Sequence, residues 1–515
     1  MLRLREERGG TSANWLSAKA NGCVLGLTED TDYLIDTGRS AATVFIDDVA
    51  LPGSADGTCC WRPGFYAGRV AVQVESAGGL RTSYELDVGS SPTKSGDASF
   101  AEMVTAIRAF DQTLLGGSSS ATMAFGRAGR PGRYTDDVLL SRLRRHGPSF
   151  LDAVARGVRA PHRSLCADLQ MLPLSRVRTL HPGALRDRRV LALRSAQADE
   201  STAFEAIRIH CQTSAPTFDT PANRALLALL QRFRATASQL DRRVEALKLG
   251  GPTDEQQPRV ARRRVELQAL SSRVARIVRA LPFSEVGSAG TSAAGLTQIA
   301  AQPNYGWAYR LGCLALTCHV EGEDATDPLH VNHSWGIYET WCYLAVLEAV
   351  GKVVGVAPAP GAGRAVDACL AHTVALPSGG ELEVLFQGEF PSESPGAGRS
   401  GWSISRKRIP DIVLVARRGG QQRALVLDAK WRSGRSNVLE AMESAHLYHD
   451  ALRIAGVRPA PCLLLLPGAP SVSALEEPSF IDAHGVGAIS HFSVAGVGLT
   501  RLEDTLKEWL TAPGR

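Results

Sequence analysis

Two carboxylates and a lysine stand out in the last quarter of the chain. Ile409-Pro-Asp411-Ile-Val-Leu-Val reads as a strand opened by an acid, and after a polar turn comes Ala424-Leu-Val-Leu-Asp428-Ala-Lys430. Residues two apart on a strand share a face, so Asp428 and Lys430 point the same way and Ala429 points away. A neighbouring strand beginning at Asp411 brings a second carboxylate beside them. Such a group suits a hard divalent cation, Mg²⁺ or Mn²⁺ in its place, which takes one or two carboxylates and keeps water in its other positions. A phosphodiester can displace that water. The metal polarises the phosphate and acidifies a bound water, while Lys430 orients that water or neutralises developing charge.

A helix upstream adds a third acid. In Trp335-Gly-Ile-Tyr-Glu339-Thr-Trp-Cys-Tyr-Leu-Ala-Val-Leu-Glu348, only Glu339 and Glu348 are charged. At about 100° per residue they lie roughly half a turn apart, so they cannot face one site. Glu339 sits among Trp335, Tyr338, Trp341 and Tyr343, where an acid needs a reason to be, and it is expected to bind metal or orient water. After Lys430, the helix carrying Met442-Glu-Ser-Ala-His446-Leu-Tyr448 turns a polar face to the strand pair, so His446 or Tyr448 could touch a phosphate. Arg406, Lys407 and Arg408, just before the Asp411 strand, are candidate DNA contacts. A formal G-x-G-x-x-G at Gly396, Gly398 and Gly401 leads into a strand, not a helix, and so fails as a dinucleotide fingerprint.

The elements needed to position these groups are legible. Beyond the hinge-like Gly287-Ser-Ala-Gly-Thr-Ser-Ala-Ala-Gly, the order is α/β. A helix is expected over 334–350 and strands near 366–376, 382–389, 411–416 and 424–430. A helix over 437–454, a strand over 461–466 and a last helix over 500–511 follow. Residues 1–115 read as a β-rich recognition or docking domain. Arg69-Val-Ala-Val-Gln-Val-Glu alternates apolar and polar residues, Gly78-Gly79 turns the chain, and Thr82, Tyr84, Leu86 and Val88 share one face of a second strand. Residues 116–286 read as a basic, mainly helical region. Within 219–282, Leu226, Leu230, Phe233, Ala237, Leu240, Val244 and Leu247 keep a 4-3 spacing. After Gly250-Gly-Pro-Thr, the series Val260, Leu267, Leu270, Val274, Ile277 and Leu281 continues the seam, which predicts a long antiparallel helical hairpin. The hairpin either packs as scaffold or projects as a stalk that grips a partner or nucleic acid. The whole is an α+β multidomain chain with its α/β domain at 300–515.

Composition bounds the function. The 515 residues are 44 % hydrophobic and 21 % charged, as in a folded protein, and net charge is +5. The stretch Phe125–Ser195 nevertheless holds 15 Arg against five acids, the footprint of a polyanion-binding surface or of a solvated Arg-rich one. Arg142, Arg144 and Arg145 are its candidate DNA contacts. No apolar run reaches the roughly 18 residues a membrane span needs, and the charged start does not suit a signal peptide. Ten cysteines without a C-x-x-C pair favour a reduced cytoplasm and disfavour a zinc knuckle.

P-D…D-x-K on adjacent strands, with a Glu on the preceding helix, resembles the PD-(D/E)XK nuclease superfamily. Ile337-Tyr-Glu-Thr-Trp-Cys-Tyr-Leu, Pro410-Asp-Ile-Val-Leu, Leu427-Asp-Ala-Lys-Trp-Arg and His446-Leu-Tyr-His-Asp-Ala-Leu resemble the McrC-like nuclease subunits of bacterial modification-dependent restriction systems. Phe218-Asp-Thr-Pro-Ala-Asn-Arg and Trp61-Arg-Pro-Gly-Phe-Tyr-Ala-Gly are similar to corresponding parts of such proteins, although Ala222 and the leucine run after Arg224 depart from them. The resemblance implies a PD-(D/E)XK nuclease fold for 300–515 and Mg²⁺-dependent cleavage of double-stranded DNA. It matches Glu339, Asp411, Asp428 and Lys430 to the family's active-site positions, with the three acids as metal ligands. It also implies a separate AAA+ motor of the McrB type, since no G-x-x-x-x-G-K-[ST] occurs here, and it allows a homo-oligomer. Two other readings stay open: a DNA-clamping or motor-activating assembly subunit with a nuclease fold, and a DNA repair nuclease.

Overall fold

The computed structural model describes residues 1–7, 15–38, 42–53, 57–92, 94, 96–117, 119–125, 135–178, 183, 186, 188, 208–246, 256–317, 327–393 and 400–512. The chain is mixed α and β and divides into two units. One joins Met1–Tyr134 to Val320–Arg515; the other is Thr135–His319. Among the described residues no helix is long and apolar enough to cross a membrane.

In the first unit the N-terminal residues form two sheets. One has four strands in the order Leu16–Ala18, Leu2–Glu6, Tyr33–Asp36, Thr58–Trp61. The other is built on the hairpin Gly68–Glu75 and Arg81–Gly89, paired from Gly68↔Val88 to Glu75↔Arg81. Alternation works as expected there: Val70, Val72 and Val74 are buried, as are Tyr84, Leu86 and Val88. Gly79 makes the turn with φ +76°, a backbone conformation that favours glycine. Strand Ala121–Phe125 of this sheet pairs antiparallel with Asp327–His330, from Thr122↔His330 to Phe125↔Asp327.

The C-terminal residues of the same unit form a seven-stranded mixed sheet. Its order is Ala359–Pro360, Leu370–Ala375, Glu381–Phe386, Ile412–Arg418, Gln421–Ala429, Cys462–Leu465, Val486–Ile489. Pairing is antiparallel up to Gln421–Ala429 and parallel beyond it. Parallel neighbours need a crossover, and helix Arg435–Ala451 supplies the first one. It lays Val438, Ala441, Met442 and Ala445 on Val413, Val415, Val426 and Leu464. Helix Ser334–Val354 covers the other face, where Tyr343 meets Phe386 at 5.0 Å and donates to or accepts from His372 Nδ1 at 2.7 Å. The expected elements are present within a few residues. Strand Val486–Ile489 and the short helix Pro478–His484 were not expected, because four and seven residues carry too little periodicity to read. The expected helix over 437–454 stops at Ala451, and Leu452–Ile454 instead pairs with Gly401–Ser403. Gly396 and Gly398 lie outside the described residues.

In the second unit, Pro221–Ala246 and Gln256–Arg279 form the expected helical pair. The 26 residues of the first span about 39 Å. The pair is antiparallel, as the ties from Arg264 to Asp241 (2.8 Å) and Glu245 (2.6 Å) show. Leu226, Leu230, Phe233, Ala237 and Leu240 share one core with Leu267 and Val274, and Val244 is also buried. Leu247 and the Gly250-Gly-Pro tip lie outside the described residues. The hairpin is no bare stalk over its described length. Its seam joins one core with Leu143, Phe150 and Val154 of helix Thr135–Gly157 and with Tyr305, Ala308 and Leu311 of helix Pro303–Leu316. Of the seven arginines on its second arm, Arg276 and Arg279 are exposed, while Arg273 pairs with Asp152.

The mainly helical middle region also contains an antiparallel ribbon, Ser164–Pro173 with Arg208–Thr217. Its first strand is exposed almost throughout, so it lacks the one-sided burial that makes a strand easy to read. The segment Phe218-Asp-Thr-Pro-Ala-Asn-Arg is a helix-entry knot. Asn223, fully buried, donates to the carbonyls of His162 (2.8 Å) and Phe218 (2.7 Å) and accepts from Tyr305 Oη at 2.8 Å. Thr220 Oγ1 accepts the Asn223 N–H, and Arg224 pairs with Asp219.

Gly312 permits close helix approach in this core. A Cβ there would stand 2.6 Å from Leu229 Cδ2 and 2.8 Å from Phe150 Cε2. Gly312→Val should therefore overpack the core and cost about 1–3 kcal/mol, lowering the midpoint of urea unfolding. An unchanged midpoint would show that the helices can part without penalty.

Candidate active site

The four residues read from the sequence meet at the carboxyl end of strand Gln421–Ala429. This strand is central in its sheet, and its residues from Ala424 to Ala429 are buried on both faces. Asp411 precedes strand Ile412–Arg418, one step beyond the Ile412↔Leu427 pair, and so stands across from Asp428. Lys430 Nζ lies 2.6 Å from Asp428 Oδ2 and 3.7 Å from Asp411 Oδ2. The Ala429 N–H donates to Asp411 Oδ2 at 2.8 Å, and the Lys430 N–H donates to the Leu465 carbonyl at 3.0 Å. Glu339 is linked to the same group through Gln387, which meets both its carboxylate and the Asp411 carbonyl, and the charges of Lys430 and Asp428 act on it. Glu348 is on the solvent side, paired with Lys352 at 2.9 Å, as the helical phase required.

Electrostatics follow from burial. Glu339, Asp411 and Asp428 are 8 %, 8 % and 1 % exposed. Desolvation, then the charge of Asp428 against the relief given by Lys430, pushes Glu339 up to about 7. Desolvation and the charges of Asp428 and Glu339 hold Asp411 well above the usual carboxylate range. Burial works to lower the Lys430 value, but Asp428 and Asp411 outweigh it and leave the ammonium raised.

Two contributors were missed from the sequence. The Ser444 hydroxyl donates to Asp428 Oδ2 at 2.6 Å. Gln387 donates through Nε2 to Glu339 Oε2 at 3.4 Å and through its backbone N–H to the Asp411 carbonyl at 2.7 Å. Gln387 does so with φ +51°, an uncommon conformation for a residue with a side chain. Ser444 had a readable signal: it lies one helical turn from Tyr448 and beside the buried Ala445. Gln387 had none.

The second-rank candidates separate. His446 is exposed, and among the described residues no hydrogen bond or ion pair joins it to the carboxylates. Tyr448 donates to the Ile409 carbonyl at 3.4 Å, and burial together with Asp428 and Asp411 raises its phenol. Arg406 is exposed, Lys407 pairs with Glu389, and the Arg408 backbone pairs with Phe390. In the other unit, the candidate DNA contacts Arg142 and Arg144 have partners within the chain. Arg142 is 8 % exposed and donates to the Thr317 carbonyl at 3.1 Å; Arg144 pairs with Glu266 at 2.7 Å. Arg142 thus reaches the end of helix Pro303–Leu316, and Arg144 reaches the second arm of the hairpin. Arg145 is exposed. Arg127, Arg130, Arg133, Arg189 and Arg194 of the basic window lie outside the described residues.

The donor set fits a hard divalent ion. Asp428 Oδ1 is buried without a hydrogen-bond partner among the described residues, although a buried carboxylate oxygen normally has one. Among those residues no three His, Cys, Asp or Glu side chains already form a metal cage. The facing Asp411 and Asp428 are the protein share that Mg²⁺ ordinarily takes, with water in the remaining positions.

Comparisons with known proteins relate the chain to a family model and to a solved structure. A family model described as a domain of unknown function, DUF2357, matches residues 65–311; it ends before Glu339, so the four site residues lie outside it. The chain is also similar to a chain in a refined half-complex from a tetradecameric assembly of Thermococcus gammatolerans McrB AAA+ hexamers with bound McrC. Identity is 11 %, coverage is 89 % of this chain and 85 % of that one, and the TM-score is 0.22. No curated protein matches.

The raised Glu339 carboxyl predicts a pH signature. Its ordinary value is 4.5 and its folded value about 7, so between these the native state keeps a proton that the unfolded chain has lost. The stability of the neutral form is fully present below the lower value and is lost as pH rises through the upper one. Glu339→Gln cannot ionise. In EDTA it should gain on the wild type from pH 4.5 to 8, by up to about 3 kcal/mol. Parallel melting curves for the two proteins across that range would refute the buried, proton-holding carboxyl.

Proposed function

We propose that this chain is a Mg²⁺-dependent DNA endonuclease of the PD-(D/E)XK type, a McrC-like subunit of a bacterial restriction system that works with a separate AAA+ motor. The observation that carries the reading is Lys430 placed against both Asp411 and Asp428, with Glu339 electrostatically linked to them and Asp428 Oδ1 buried without a hydrogen-bond partner among the described residues. Asp411 and Asp428, with Glu339 beside them, would hold Mg²⁺ or Mn²⁺. When bound, the ion polarises the phosphate and acidifies a water. Lys430 places fixed positive charge where negative charge develops on the attacked phosphate. Ser444 fixes Asp428, and Gln387 ties Glu339 to the Asp411 backbone.

The motor partnership rests on the sequence resemblance and on the lack of a phosphate-binding loop in the chain. McrC in the archaeal complex is bound to AAA+ hexamers, and the same kind of assembly is proposed here. The full chain, with an AAA+ partner supplied, should nick or cut duplex DNA in Mg²⁺ or Mn²⁺ and stop in EDTA. DNA bound but left intact under every such condition would overturn the nuclease reading in favour of a clamp.

A further inference from the structure

Glu29 follows strand Cys23–Thr28 of the N-terminal β region, and its side chain has no exposed surface. Both carboxylate oxygens are used. Oε2 accepts from Ser334 Oγ at 2.7 Å. Oε1 accepts from Trp431 Nε1 at 3.0 Å, the Ser91 N–H at 3.2 Å and Lys94 Nζ at 3.5 Å. Ser334 is the first residue of the helix that carries Glu339. Trp431 directly follows Lys430, and its ring meets Tyr338, the neighbour of Glu339, at 5.0 Å. Lys94 stands over the same ring at 5.7 Å.

One carboxylate thus grips the start of the Glu339 helix and the residue after Lys430. Burying a charge is costly unless every partner is in place, and apolar residues would serve adhesion at lower cost. We propose that Glu29 is a positioning residue, through which the N-terminal β region fixes the spacing between Glu339 and Lys430. This rests on the nuclease reading above. Lys430 needs its ammonium within bonding reach of Asp428, and Glu339 needs its carboxyl at the same point. A displacement of about 1 Å in a catalytic group can cost a hundredfold in rate. Ser334 sits at a helix N-terminus, where a carboxylate is also favoured by the backbone dipoles. The contact therefore holds the helix along its axis as well as at its first turn.

The test uses the full chain under conditions where the wild type cuts plasmid DNA. Glu29→Ala should lower kcat by about ten- to a hundredfold and leave KM for DNA within about twofold of wild type. Glu29→Gln should recover most of the rate, because its amide oxygen still accepts from Trp431 and Ser91 and its NH₂ can donate to the Ser334 hydroxyl. Trp431→Phe keeps the ring and removes the N–H, so it should resemble Glu29→Ala. The double variant should be no worse than the poorer single one. With 5-fluorotryptophan incorporated, the Trp431 resonance, identified by its loss in Trp431→Phe, should move in Glu29→Ala and return in Glu29→Gln.

Wild-type kcat in Glu29→Ala, a loss confined to KM, or additive losses in the double variant would each overturn the proposal. If Glu29→Ala fails to fold, Trp431→Phe and its combination with Glu29→Gln give the same kcat and KM comparison. A wild type that never cuts ends the nuclease reading and this proposal together. A wild type that cuts while Glu29→Ala cuts equally well ends only the proposal.

Discussion

Asp428→Asn and Lys430→Ala should each slow DNA cleavage by a factor of about a hundred or more, equivalent to roughly 3 kcal/mol of transition-state stabilisation. Asp428→Asn keeps the shape and the Ser444 contact but removes a charge from the pair with Asp411. Lys430→Ala removes the ammonium that stands 2.6 Å from Asp428 and 3.7 Å from Asp411. In the alanine variant two buried carboxylates face each other without their cation, so one of them should hold a proton near neutrality. Duplex DNA affinity, read by fluorescence anisotropy in EDTA, should stay within a few-fold of wild type for both. Undiminished cutting by both variants would remove these residues from the chemistry.

The second large effect is on stability. Arg142→Glu should destabilise the Thr135–His319 unit by about 3–5 kcal/mol, the usual result of leaving a buried charge unpaired. Arg142 places a cation on the Thr317 carbonyl at the end of helix Pro303–Leu316, where positive charge is favoured by the helix dipole. A carboxylate there meets the same carbonyl with the wrong sign. Arg144→Glu should lose the Glu266 pair and replace it with repulsion. Arg145→Glu, on an exposed residue, should lower the urea midpoint far less than Arg142→Glu. If the basic face contacts the phosphate backbone, Arg145→Glu should flatten the salt dependence of DNA binding. A drop in the urea midpoint for Arg145→Glu matching that of Arg142→Glu would contradict this division of labour.

The centre of the site was legible because its information is local. The alternation through Asp428, Ala429 and Lys430 fixes two side chains on one face without reference to any distant residue. The turn between the two strands is short, so Asp411 had one place to go. Glu339 could be picked out because a lone acid in an aromatic helix is conspicuous. Gln387 and Glu29 were not legible. Gln387 acts from a single residue with unusual backbone geometry, and Glu29 joins partners hundreds of positions away. Arg142 is the opposite case. Its charge type suggests a surface, but it is 8 % exposed and donates to the Thr317 carbonyl, a partner 175 residues away that no local pattern announces. Most of the hairpin seam is legible in its spacing, but Leu281, placed in it by the same spacing, is 51 % exposed beyond the end of the second helix, and spacing alone cannot say that helix Thr135–Gly157 shares the same core.

The pairing of Phe125 with Asp327 has a consequence for how the chain is made. Synthesis must deliver about two hundred further residues before strand Ala121–Phe125 acquires this neighbour. The contiguous stretch Thr135–His319 leaves the ribosome complete and can fold while the host sheet still waits. Glu29 waits longer: Ser334 arrives after the whole inserted unit, and Trp431 about a hundred residues later still. Until then its carboxylate belongs in water, and the N-terminal β region should be held open. The candidate site and its buried brace are thus completed by the same late event, so a truncated nascent chain carries neither.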